Sequence, residues 1–189
     1  MDLSPGDRVA LLVPGSVAYV ELVIALLRRG VFPIPMDAAL TAIERDRLLA
    51  DLAPRHVVTE PVEVETLLAE IGPGDGNPRG RPIHVTSGTT GRPKGVWSGL
   101  LDDAAAEALV REERELWGFT RTDVNLVLSP LHHSAPLRFA MGTVLAGGRV
   151  VAPGPFDPVA VTRVIEHDRP TTMFCVPAHL QRLFAHWEE

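Results

Sequence analysis

Thr86-Ser87-Gly88-Thr89-Thr90-Gly91-Arg92-Pro93-Lys94-Gly95 lies about midway along a chain of 189 residues. Three of its ten positions are glycine, which lets the backbone approach a ligand closely and adopt positive φ. Four positions carry hydroxyls and Lys94 adds a point positive charge, so amide donors, hydroxyl donors and a cation occur together. That donor set suits a polyanion, most simply a phosphate chain. It is not the loop of the P-loop NTPases, which runs G-x-x-x-x-G-K-[ST]. Here Gly91 stands three residues before Lys94, and Gly95 fills the place that motif gives to a hydroxyl. A merely flexible Ser/Thr/Gly linker has no use for Pro93 and Lys94.

Outward from this stretch, Ile83-His84-Val85 reads as a brief strand entering the loop and Val96-Trp97-Ser98 as extended chain leaving it. Trp97 is placed either to stack or to pack, and the sequence does not choose. The preceding residues 72–82 hold too much glycine and proline for regular structure. Before them, residues 8–13 form an unalternating apolar run, the mark of a strand buried on both faces of a parallel sheet. Ser16 offers an N-cap, and Val17, Val20, Ile24 and Leu27 recur at helical spacing until Gly30. Val31-Phe32-Pro33-Ile34-Pro35 is extended, its prolines favouring an edge strand. Thr41 and Glu44 form a capping box for a helix to about Leu52, His56 to Thr59 read as a strand, and residues 62–71 as a helix.

Beyond the loop a helix spans roughly 101–117, with Leu101, Ala105, Ala108, Leu109 and Leu116 on its apolar face. Arg111 to Glu115 read as a solvated face. Strands at 126–128, 149–151 and 172–176 then alternate with helices at 135–145, 158–167 and 178–187. Short connections between alternating strands and helices imply βαβ crossovers and parallel sheets. The fold expected is α/β, two consecutive βαβ-type units at 1–118 and 119–189. No repeat with a period of 20 to 50 residues is apparent.

Composition excludes several classes. With 46% hydrophobic and 22% charged residues the chain is globular, and a net charge of −6 without a lysine-rich run is no footprint of a nucleic-acid binder. One cysteine, Cys175, forms no intramolecular disulfide and fits a reducing compartment, so a cytoplasmic location is expected. The opening Met1-Asp2-Leu3-Ser4-Pro5 shows no basic and apolar leader pattern, and no apolar run reaches the ~20 residues of a membrane span.

The loop T-S-G-T-T-G-R-P-K-G closely resembles the phosphate-binding signature of the adenylate-forming superfamily, which includes acyl-CoA synthetases, nonribosomal adenylation domains and luciferases. Other stretches share the likeness. Gly6-Asp7-Arg8-Val9-Ala10-Leu11-Leu12 is similar to the first core strand, and the segment from Arg28 to Met36 to a helix-to-strand R-x-G-x-x-x-x-P stretch. Leu128-Ser129-Pro130-Leu131-His132-His133-Ser134-Ala135-Pro136 resembles the P-L-x-H-S-A-P form of the second motif, and Leu145-Ala146-Gly147-Gly148 and Cys175-Val176-Pro177-Ala178 match later core positions. The resemblance thus covers the whole chain. Trp97-Ser98-Gly99-Leu100 departs from it, since many members carry a hydroxyl followed by histidine there.

The resemblance implies an incomplete N-terminal domain of an ATP-dependent carboxylic, above all fatty, acid–CoA ligase working through an acyl-adenylate. Thr86, Ser87, Gly88, Thr89, Thr90 and Gly91 are then expected to wrap the β- and γ-phosphates of ATP, with Lys94 neutralising them. Coenzyme A is the implied thiol co-substrate. The Y-G-x-T-E motif, the magnesium ligand it supplies and the C-terminal lysine of the family have no counterpart in these 189 residues, so the Mg2+ ligand is expected outside this chain. The alternative is a non-catalytic remnant or phosphate-binding module acting through association with a complementary chain, and self-association is expected of its uncovered faces. His133 is carried over as a substrate-lining residue, against structural packing. A metal site is disfavoured, because adjacent histidines do not face one way on a strand. Phe174 and Cys175 read as core.

Overall fold

The computed structural model describes residues 2–86 and 94–188. The chain forms two compact units, Met1–Pro14 with Ala18–Val110 and Gly15–Val17 with Arg111–Glu189.

Unit 1 is built on β1 (Arg8–Leu11), α1 (Val17–Arg28), β2 (Phe32–Pro35), α2 (Ala42–Leu52), β3 (His56–Val58) and α3 (Pro61–Ile71). Its three strands pair in parallel in the order β2-β1-β3. Val9, Ala10 and Leu11 are fully buried, as the unalternating run implies, and Phe32-Pro33-Ile34-Pro35 takes an edge of the sheet, where a proline costs no ladder bond. Thr41 and Glu44 cap α2 reciprocally, each accepting the other's backbone N–H at 3.0 and 3.3 Å. After α3 comes an antiparallel hairpin, β4 (His84–Thr86) and β5 (Lys94–Val96), and then α4 (Asp103–Trp117).

Unit 2 holds β6 (Val124–Val127), α5 (Ser134–Leu145), β7 (Arg149–Val151), α6 (Pro158–Asp168), β8 (Thr172–Phe174) and α7 (Pro177–Trp187), with parallel order β7-β6-β8. Its core gathers Leu126, Leu128, Val161 and Leu183, with Phe156, Val164, Ile165 and Cys175 packed against them. Phe139 from α5 meets the rings of Trp117, Phe119 and Phe174 at 4.9 to 5.6 Å. Cys175 and Phe174 are therefore packing residues, half-buried rather than sealed.

One expectation fails. The face of α4 drawn through Ala105, Ala108 and Leu116 is exposed, Leu116 to 67%, and the helix's one fully buried side chain is Ala106. Leu101 and Leu109 of the same stripe are half-buried, so the stripe packs only in part.

The two units share one topology and one spacing. β1 and β6 begin at Arg8 and Val124, 116 residues apart; α1 and α5 at Val17 and Ser134, 117 apart; α2 and α6, β3 and β8, and α3 and α7 are again 116 apart. The likeness extends to single bonds. Gly30 and Gly147, at φ 70° and 88°, close Schellman turns in which Val31 N donates to Leu26 O and Gly148 N to Thr143 O. Ala53 and Arg169, at φ 43° and 48°, end α2 and α6 in the left-handed conformation, each just before a proline. A non-glycine residue there costs about 1–2 kcal/mol, so the turn is held by its surroundings.

The deepest correspondence lies at Asp7 and Asp123. Each aspartate closes the turn that launches the central strand: Ser4 N donates to Asp7 Oδ2 at 2.8 Å and Thr120 N to Asp123 Oδ2 at 2.7 Å. Each backbone carbonyl accepts from the start of one flanking strand, Phe32 N and Arg149 N, both at 2.8 Å. Each side chain also reaches the start of the other, through the Arg55 guanidinium at 3.5 Å or the Thr171 hydroxyl at 3.0 Å. The Thr120 amide, followed by the Thr171 and Thr120 hydroxyls, outweighs partial burial and holds the Asp123 carboxyl below the usual carboxylate range. A depressed folded pKa stabilises fully above pH ~4 and loses that stabilisation as pH falls through the folded value. Asp123→Ala should therefore lose about 1 kcal/mol in urea unfolding at pH 7, and its gap to wild type should close on acidification. A gap of the same size at pH 2 contradicts this role.

Candidate functional site

The hairpin of unit 1 carries one candidate site. Antiparallel pairing sets His84 opposite Val96, Val85 opposite Gly95 and Thr86 opposite Lys94. Thr86 and Lys94, near the two ends of the sequence-predicted loop, are thus register partners in one antiparallel ladder. This refines the expected context: Thr86 and Lys94 belong to strands, and those strands form an antiparallel hairpin beside the parallel sheet. Ser87, Gly88, Thr89, Thr90 and Gly91 lie outside the described residues.

The hairpin is tied to unit 1 at its root. Ile83, buried to 1%, donates its N–H to Pro33 O at 2.9 Å beside β2. Gly95 is wedged so closely that a Cβ there would stand 2.5 Å from Leu52 Cδ2 and 2.9 Å from Ile83 Cγ2. A side chain at position 95 would have to displace the Leu52 and Ile83 methyl groups.

A separate candidate site lies within unit 2. β6 is the first and central strand of its sheet; α5 leads from it to β7 on one side, and α6 crosses back to β8 on the other. The order therefore switches between β6 and β8, and in open parallel sheets ligands bind outside the carboxyl ends of the strands at such a switch. The loop leaving β6 carries Ser129, His132 and His133, and the one leaving β8 carries Cys175 and Val176. His133 holds the N-cap position of α5 at φ −80°, ψ 145°, with its side chain free of capping duty and exposed. Its ring centroid lies 4.2 Å from that of His132.

Nearby in the same unit, the His179 ring stacks on Phe156 at 4.6 Å, and the Arg182 guanidinium lies 4.6 Å from the Phe156 centroid. Burial, then the Arg182 charge, holds His179 below the usual histidine pKa. Among the described residues no group of three or more His, Cys, Asp or Glu is placed to hold a metal ion. The Phe156, His179 and Arg182 stack was not legible in the sequence, because Phe156 lies in the loop after β7, well before the His179 and Arg182 pair on α7.

Comparison with known proteins places these elements in context. A profile of AMP-binding enzymes matches residues 1–80 and 82–189. A feruloyl-CoA synthase from an Amycolatopsis species is 34% identical over 205 residues, covering 96% of this chain and 41% of its own length. A 2-succinylbenzoate–CoA ligase from Bacillus pumilus is 31% identical over 209 residues, covering 99% of this chain and 42% of its own. Among solved structures, ATP-bound MatB from Rhodopseudomonas palustris superposes with a TM-score of 0.69 at 26% identity, over 96% of this chain and 41% of that one. The chain thus spans well under half the length of these proteins.

The close approach at Gly95 has a direct consequence. Gly95→Ala should lower stability by about 1–3 kcal/mol through overpacking against Leu52 and Ile83, seen as a lower thermal midpoint, and Leu52→Ala in the same chain should recover part of it. An unchanged midpoint in the single variant contradicts the packing described.

Proposed function

This chain belongs to the AMP-binding enzyme family, with the mixed α/β fold of the N-terminal domain of adenylate-forming enzymes, and we propose that it supplies the ATP phosphate site of a carboxylic acid–CoA ligase. The observation that carries this reading is the backbone pairing of Thr86 with Lys94 across the hairpin, which brings into register the two ends of a sequence of glycines, hydroxyls and one lysine. That donor set fits a triphosphate: amides and hydroxyls meet the phosphate oxygens, and the ammonium meets their charge. Thr86, Ser87, Gly88, Thr89, Thr90, Gly91 and Lys94 are the residues proposed to hold it. ATP brings Mg2+, whose protein ligand we place outside this chain.

In the proposed reaction a substrate carboxylate oxygen bonds to the α-phosphorus of ATP and pyrophosphate leaves; the sulfur of coenzyme A then bonds to the acyl carbon and AMP leaves. The segment's part is to fix the β- and γ-phosphates and neutralise charge on the departing pyrophosphate. His133, at the carboxyl end of β6, is proposed to line the acid pocket. A fatty acid is our first candidate. The ferulate and succinylbenzoate chemistry in the names of similar proteins makes aryl acids the other outcome of an acid panel. No helix among the described residues is long and apolar enough to cross a membrane, and we place the protein in the cytoplasm on its cysteine usage. Self-association through the exposed Phe184 and Trp187 of α7 belongs to the same proposal, and a monodisperse monomer in sedimentation velocity contradicts it.

The test of the phosphate site is binding of MgATP to this chain. Charge-assisted contacts contribute about 1.5–3 kcal/mol, so Lys94→Ala should raise Kd by roughly tenfold to a hundredfold. Equal Kd values for wild type and variant contradict the assignment.

A further inference from the structure

Trp97 directly follows β5, three residues beyond Lys94. Its indole is half exposed, at 49%, yet both of its ring contacts are specific. The fully buried Phe32 meets it edge to face, with centroids 5.5 Å apart and planes at 84°. The Arg8 guanidinium lies over its ring at 5.6 Å. Phe32 and Arg8 are register partners, the first residues of β2 and β1, so the indole is gripped by the starting ends of two paired strands.

The grip is itself braced. Arg8 donates to Leu52 O at 2.9 Å, and Leu52 is the side chain against which Gly95 is wedged. Downstream, Leu101 N donates to Arg79 O at 3.0 Å and the Arg79 guanidinium returns a bond to Leu101 O at 3.1 Å. Gly80, next to Arg79, is packed so closely on Phe32 that a Cβ there would stand 2.7 Å from its ring. Residues 97–101 are thus fastened at both ends.

We propose that Trp97 is a positioning residue: held by Arg8 and Phe32, it fixes β5 against the ends of β1 and β2 and so sets where Lys94 stands. At the strand rise of about 3.4 Å per residue, Lys94 lies only about 10 Å along β5 from this post, with Gly95 wedged between. A strand seated at one end on a cation–π and an edge-to-face contact delivers its other end with little freedom, and a pre-placed cation binds a phosphate chain at lower entropic cost. This inference rests on the phosphate-site reading above.

Two readouts separate the two ideas: hydrogen exchange of residues 94–97 without ligand, and Kd for MgATP. Trp97→Ala should speed exchange of that segment while residues 8–11 keep their protection, and should raise Kd roughly tenfold. Trp97→Tyr, which keeps an aromatic face, should restore both to within about twofold, and Trp97→Leu, which keeps apolar bulk alone, should not. Arg8→Met should reproduce the Trp97→Ala effects, with the double variant little worse than either single one. Wild-type exchange in Trp97→Ala, or full rescue by Trp97→Leu, overturns the proposal. Faster exchange in Trp97→Ala, with MgATP binding that neither it nor Lys94→Ala alters, keeps the post but overturns its tie to phosphate binding and the phosphate reading with it.

Discussion

In each unit one aspartate closes the turn before the central strand and ties the starts of all three strands together. Asp7 and Asp123 use the same three groups to do so: a carboxylate oxygen for the turn amide, the backbone carbonyl for one neighbour and the carboxylate again for the other. A parallel sheet needs this more than an antiparallel one, since its strands are not joined by tight hairpins and every pairing closes a long loop. With the starting ends fixed, the strands run to carboxyl ends whose loops are free to carry function. In unit 1 the same starting ends, Arg8 and Phe32, also receive Trp97, so the frame that aligns the sheet extends to the hairpin bearing Lys94.

Much of the fold was legible in the sequence because its signals are local. The apolar run at 8–13, the Thr41 and Glu44 capping box and the glycine after α1 each state their structure within a few residues. The strand order was not legible, since nothing in a parallel strand names its neighbour. The twofold correspondence was hidden too, because it repeats at 116 or 117 residues and is written less in shared residue identities than in geometry: Pro54 and Pro170, Pro61 and Pro177, and Asp7 and Asp123 are isolated matches between otherwise different stretches. The exposed side of α4 misled for a related reason. Helical periodicity finds an apolar stripe, but which part of it packs depends on partners that the sequence does not name.

The proposed phosphate site rests on composition, with geometry that the sequence did not show. Glycines, hydroxyls and one lysine are what the proposal reads, but the antiparallel register that sets Thr86 opposite Lys94 is a long-range fact, as is the close packing at Gly95. Trp97 was undecidable from sequence because its two partners, Arg8 and Phe32, lie far away along the chain. His133 was singled out by motif alone, and its proposed substrate-lining role draws support from the switch in strand order between β6 and β8.

The central claim is that the hairpin of β4 and β5, with the segment it closes, is where this chain meets the phosphates of ATP. Amide hydrogen exchange of the wild-type chain with and without MgATP tests it most directly. The account predicts slowed exchange concentrated in peptides spanning residues 84–96. Unchanged exchange there, or protection confined to other parts of the chain, contradicts it.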